Sequence, residues 1–146
     1  MEDLRALNRR WFEEVWNNGR DDVIEQMYAP DGIAYGLGEG GAPVKGPANF
    51  RKFYEKFRQG LGGIHVDVHE TVVEGDLIAA RISCRATHVG EGFGVPPTGK
   101  PIRFTAIVMS RWKNGQIVEA WNEFDAYGMM QQIAGAASPS VKAELA

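Results

Sequence analysis

Three groups of side chains in this sequence have the types and spacing to do chemistry. The first lies in Gly115–Asp125, GQIVEAWNEFD. Asn114-Gly115 is a strong two-residue hairpin signal. A strand behind it sends Ile117, Glu119, Trp121, Glu123 and Asp125 to one face and Val118, Ala120, Asn122 and Phe124 to the other. Counting back across the turn sets Lys113 opposite Gln116, Ser110 opposite Glu119, Val108 opposite Trp121, Ala106 opposite Glu123 and Phe104 opposite Asp125. A carboxylate held against apolar side chains is disfavoured in its charged form, which moves its pKa from about 3.9 toward the range of a general base. The same setting also suits a buried ion pair.

His88 is the second. It continues the apolar row Ile78, Ala80, Ile82, Cys84 and Ala86, so it is expected to point inward at the end of its strand, as a hydrogen-bonded core residue or, with an inward Asp125, as an acid/base partner. The third is the triplet His65, Asp67 and His69, whose i, i+2, i+4 spacing puts three metal-ligating types on one strand face. No clear fourth ligand accompanies it, and a polar outer face explains the pattern, so no metal is expected. Cys84, the single cysteine, sits in an apolar strand and reads as a small hydrophobe rather than a nucleophile.

The elements that must position these groups follow from periodicity. Leu4, Leu7, Trp11 and Val15 recur at helical spacing, flanked by Asn8, Phe12 and Trp16, and predict a helix over residues 3–17 ending near Asn17-Asn18-Gly19. Asp21 and Asp22 open a second short helix that closes before Pro30. Residues 31–46 are glycine-rich around one short strand, Ile33 to Leu37. No GxGxxG or Walker pattern makes that stretch a phosphate cradle, and a loop is expected instead, with a lid over a pocket as the functional alternative. Pro47 starts a third helix, whose Phe50, Phe53, Tyr54 and Phe57 form an aromatic stripe suited to core or cavity wall.

From residue 64 the period changes to two. Strands over 64–73 and 77–89 flank Glu74-Gly75-Asp76, and a three-residue connection aligns Val66, Val68 and Val72 with Cys84, Ile82 and Ile78. The loop Gly90–Pro101 leads to the strand Ile102–Trp112, the hairpin and a short closing helix around Met129, Met130 and Ile133. Residues 1–135 read as one domain and 136–146 as a tail prone to fray.

The 146 residues carry 16 Lys plus Arg against 19 Asp plus Glu, a formal charge of -3, and the basic residues form no run. Nucleic acid and anionic membrane are therefore not expected partners. No apolar leader or membrane span is evident, and a lone cysteine fits a reducing compartment, so the expected location is cytoplasmic.

Helical segments followed by consecutive strands make an α+β domain with helices on one face of a curved sheet. Within it, Thr87-His88-Val89-Gly90, then Val95-Pro96-Pro97-Thr98-Gly99-Lys100, then Gly115-Gln116-Ile117-Val118-Glu119-Ala120-Trp121-Asn122 with Asp125 and Gly128-Met129-Met130-Gln131-Gln132 resemble the SnoaL-like polyketide cyclase (ester cyclase) family of the nuclear transport factor 2-like superfamily. The resemblance spans about Leu4 to Gly135; Gln116 replaces a usual lysine or arginine, and Met129-Met130 replaces paired leucines. It implies a cone: a highly curved antiparallel sheet wrapped by about three N-terminal helices around an apolar cavity, assembled into homodimers or larger oligomers through the sheet.

It also implies intramolecular aldol ring closure without metal or cofactor. The family's catalytic aspartate carries over to Asp125, with His88 nearby, acting on an apolar or aromatic carbonyl-bearing small molecule. Glu119, Trp121, Phe104, Phe53, Phe57, Trp11 and Tyr35 are the side chains expected to contact it. Two other readings stand beside the cyclase: an epoxide-type hydrolase activating water between Glu119 and Asp125, marked by an arginine network at the cavity floor, and a non-catalytic small-molecule-binding protein.

Overall fold

The computed structural model describes residues 3–91 and 93–134; the expected C-terminal tail lies outside them. Helix α1, Leu4–Arg10, is N-capped by Asp3, whose carboxylate accepts the Ala6 N–H. It runs directly into a π-helical segment, Trp11–Asn17. A 3-10 turn, Asp21–Val23, leads into α2, Ile24–Met27, and then β1, Tyr28–Tyr35. After the glycine-rich loop come β2, Val44–Lys45, and α3, Gly46–Gly60, with Pro47 in its first turn. The chain finishes with β3, Leu61–Glu74; β4, Leu77–His88; β5, Pro101–Lys113; β6, Gln116–Phe124; and α4, Ala126–Ala134.

One six-stranded sheet results, in the order β2-β1-β6-β5-β4-β3. The α+β cone expectation holds, with one correction. The sheet is open and mixed, because β1 runs parallel to β6. The two strands are far apart in sequence, so the helices and β3–β5 between them act as the crossover that a parallel pair requires. Register shifts occur in β1 between Tyr28 and Ile33 and in β3 between Gly62 and His65 and between Val68 and Thr71. Such bulges bend strands, and they curl the sheet around its buried face.

The β3–β4 hairpin departs from the expected three-residue connection at its turn. Its turn is two residues, with Glu74 opposite Leu77, so Val73 pairs with Ile78 and Val72 with Ala79. The shift before Thr71 then restores the expected pairs Val68–Ile82 and Val66–Cys84. Val72 is left on the outer face, 69 % exposed.

The π segment is held by its neighbours. Its last carbonyls need donors from elsewhere; the Tyr54 hydroxyl donates to Val15 O at 2.7 Å and the Arg58 guanidinium to Trp16 O at 2.9 Å. Asn17 bonds the backbone of Val66 in both directions. These ties fix Trp11 and Trp16 against the aromatic stripe of α3, with Trp16 5.7 Å from Phe57 in an edge-to-face arrangement.

Candidate functional site

The concave face of the sheet carries the small side chains Ala34, Ala106, Val108, Ser110 and Ala120 beside larger ones such as Ile82, Phe104 and Phe124, while the helices facing it carry large aromatics, Trp11, Phe12, Trp16, Phe50, Phe53 and Phe57. The small residues cannot fill the curve of the sheet, and a chamber of about 100 Å³ remains between the layers. A wider space of about 450 Å³, walled by Leu37, Lys52, Phe53, Lys56, Phe57, Phe93, Phe124, Ala126, Met129 and Met130, shares Leu37, Phe53, Phe57 and Phe124 with the chamber. It forms the mouth.

The few polar side chains in the chamber wall are Asn8, Tyr28, Ser110 and Asn122, with the thiol of Cys84. Ser110 Oγ accepts the indole N–H of Trp112 at 2.9 Å. The Asn122 amide donates to Tyr35 O at 3.0 Å. Asn8, 3 % exposed, has no described partner for Nδ2. In the sequence Asn8 stands only on the flank of its helix. The signal available there was an amide on a face of otherwise apolar residues.

Of the expected substrate contacts, Trp11, Phe53, Phe57 and Phe104 line the chamber. Glu119, Trp121 and Tyr35 do not, and for the two on β6 the cause is one residue. Beyond Lys113–Gln116 and Trp112–Ile117, the pairing slips so that Arg111 faces Glu119, leaving Val118 as a bulge. Every later side chain then lies on the face opposite to simple alternation. Ala120, Asn122 and Phe124 point into the cone. Glu119 bonds Arg111, which also reaches Asp76 at 2.6 Å, on the outer face. Trp121 stacks on Tyr35 with centroids 6.1 Å apart.

Asp125 is displaced by the same slip. The expected pairing with Phe104 is not formed; β6 ends at Phe124, opposite Ala106, and the Asp125 N–H donates to Thr105 O at 3.0 Å. Asp125 is exposed, and its Oδ1 accepts the Gly128 N–H at 2.9 Å, which caps α4. The inward carboxylate expected from sequence is thus a helix cap at the rim, between Phe124 and Ala126 of the mouth wall.

His88 is fully buried, as its place in the apolar row requires. Its Nδ1 accepts the backbone N–H of Thr98 at 3.2 Å and lies 2.9 Å from the Thr98 hydroxyl. A neutral ring accepting at Nδ1 carries its proton on Nε2, and that Nε2 has no described partner. Phe93 of the mouth wall lies edge-on to it, with centroids 6.0 Å apart. His88 and Asp125 are not hydrogen-bonded to each other: each has a different partner.

Cys84 is buried in the chamber wall, and burial pushes its thiol up to about 12. On the outer face, His65 bonds Asp67 at 3.1 Å and His69 bonds Ser83 at 2.9 Å. Among the described residues, no group of three His, Cys, Asp or Glu side chains is placed to hold a metal ion.

The SnoaL-like polyketide cyclase family model matches residues 6–133. IdmH, a proposed polyketide cyclase from Streptomyces antibioticus, is similar at 28 % identity and TM-score 0.79, over 91 % of this chain and 99 % of that one. AclR from Streptomyces galilaeus, a proposed hydroxylase, gives 25 % and 0.81, over 97 % and 87 %. A proposed SnoaL-like polyketide cyclase from Jannaschia sp. CCS1 shares the fold at 24 % and 0.80, over 92 % of each chain. No curated protein sequence matches significantly.

Proposed function

The chain belongs to the SnoaL-like polyketide cyclase family, and from that premise we propose that it closes a ring by intramolecular aldol addition in an apolar, carbonyl-bearing small molecule, without a cofactor. The observation that carries this reading is the aromatic-walled chamber opening into a wider mouth. A flexible polyketone folded against rigid aromatic walls meets its own electrophile at high effective concentration. In the step itself, a proton leaves a carbon flanked by carbonyls, the enolate carbon bonds a second carbonyl carbon, and the resulting alkoxide takes up a proton. The product is an isomer of the substrate.

Asp125 is the proposed base. It stands at the rim between two wall residues, and Oδ1 alone is engaged by the Gly128 N–H. His88 is the proposed donor to the developing alkoxide, through Nε2–H, once Phe93 moves aside. Asp125→Asn provides the test, because asparagine caps a helix about as well as aspartate. The variant should bind aromatic ketones as before and lose at least about a hundredfold in cyclisation rate, followed by chromatography of isomeric products. Full retained turnover would remove Asp125 from the mechanism.

One observation favours a second reading, binding without chemistry: among the described chamber and mouth walls there is no carboxylate or imidazole. Tight binding of candidate polyketones with no ring closure by the wild-type protein would establish it. The hydrolase reading loses its marker, since the Arg111–Glu119 pair lies outside the cavity.

The outer face of the sheet is the proposed seat of a homodimer. Tyr35, Trp121, Met109, Ala79 and Val72 are cross-strand neighbours in one row over five strands. Ile107, beside that row, is 56 % exposed. An apolar stripe of this length, interspersed with Arg81, Arg85, Asp67 and Glu123, matches a second copy of itself in both apolarity and charge.

A further inference from the structure

We propose that Asn8 makes the closed end of the chamber a subsite for a carbonyl oxygen, so that the substrate enters with a ketone or comparable hydrogen-bond acceptor leading. The inference deepens the cavity reading above and rests on it. Asn8 lines the chamber, is 3 % exposed, and presents an Nδ2 donor that no described protein group accepts. Leaving a buried amide donor unpaired is costly, and a site that keeps one is built to reward a ligand that supplies the acceptor.

The position is consistent with a leading group. Arg5, one helical turn before Asn8, donates to Thr71 Oγ1. Thr71 pairs with Ala80, and Ser110 pairs with Ile78, both near the β3–β4 turn. The mouth residues Phe93, Phe124 and Ala126 lie toward the other end of these strands, where His88 ends β4. Ser110 is a second donor at the closed end. Its oxygen already accepts the Trp112 indole N–H, and its own hydroxyl hydrogen remains to give. A carbonyl oxygen seated there accepts from the Asn8 amide, whereas a hydrocarbon leaves that donor unpaired. The reacting carbons of such a substrate then trail toward the mouth.

The test uses a matched pair of small probes, acetophenone and α-methylstyrene, which differ in placing C=O against C=CH2. Dissociation constants are read from quenching of tryptophan fluorescence, since Trp11 and Trp16 border the chamber. The quantity of interest is the affinity ratio of ketone to alkene in the wild type divided by that in Asn8→Leu, with Asn8→Met as a second variant should leucine prevent folding. One hydrogen bond exchanged for none predicts that this quotient is about tenfold. A quotient near one, with both probes binding, overturns the subsite and leaves the cavity reading standing. Failure of both probes to bind any of the proteins overturns both readings, whereas binding of the alkene alone overturns the subsite.

Discussion

Cys84 shows how far burial governs chemistry at a single residue. Its thiol faces the chamber, yet its thiolate is suppressed, with the pKa pushed up to about 12 by desolvation. Tyr28, buried with its hydroxyl donating to Val44 O, is pushed up as well. Both groups titrate lower in the unfolded chain, near 8.5 and 10. A group whose folded pKa is raised stabilises the fold below its unfolded pKa and loses that contribution as pH rises toward the folded value. The urea midpoint should therefore be level up to about pH 8.5 and fall steadily toward pH 12, and Cys84 should resist iodoacetamide at pH 8 until the protein unfolds. The burial of Cys84 and His88 was legible in the sequence, because both continue a period-two apolar row. The exposure of Asp125 was not. A carboxylate placed three residues before Gly128 reads equally well as strand or as cap, and only the pairing across the sheet decides between them.

At the scale of elements, the aromatic stripe and the hairpin turn were readable because 3.6 and 2 are strong periods and Asn-Gly is a strong turn. Bulges leave no comparable mark. Val118 is a β-former between two other strand residues, and nothing in its type announces that it is the extra one, yet it moves Glu119 and Trp121 to the outside. The loop bearing Phe93 is gripped in a way that the sequence likewise does not show. Gly99 N–H donates to His88 O and His88 N–H to Lys100 O, while Val89 and Gly90 both donate to Gly60 O. A methyl group at Gly60 would come within 2.4 Å of the Phe93 ring. Gly60→Ala should therefore push Phe93 from its place and widen the mouth. Bound aromatic probes should leave several-fold faster in stopped-flow displacement; an unchanged off-rate would mean that Phe93 does not gate the opening.

For the whole molecule, the cone places apolar surface on both sides of one sheet, inside along the chamber and outside along the row from Tyr35 to Val72. Ile107→Lys puts a charge in the outer stripe without touching the chamber. Sedimentation should show the wild type as a dimer and this variant as a monomer, with probe affinity retained; a monomeric wild type would refute the assembly. The fold class followed from sequence, since helices precede strands and motifs occur in order, whereas the parallel β1–β6 contact joins segments too distant for any local pattern to reveal. The alanines along the concave wall carry a consequence for the history of such proteins. Each alanine codon is one base from valine, and Ala34, Ala106 and Ala120 all line the chamber. Gene duplicates can thus acquire a smaller or reshaped chamber through isolated point changes, while the outer face of the sheet stays as it was.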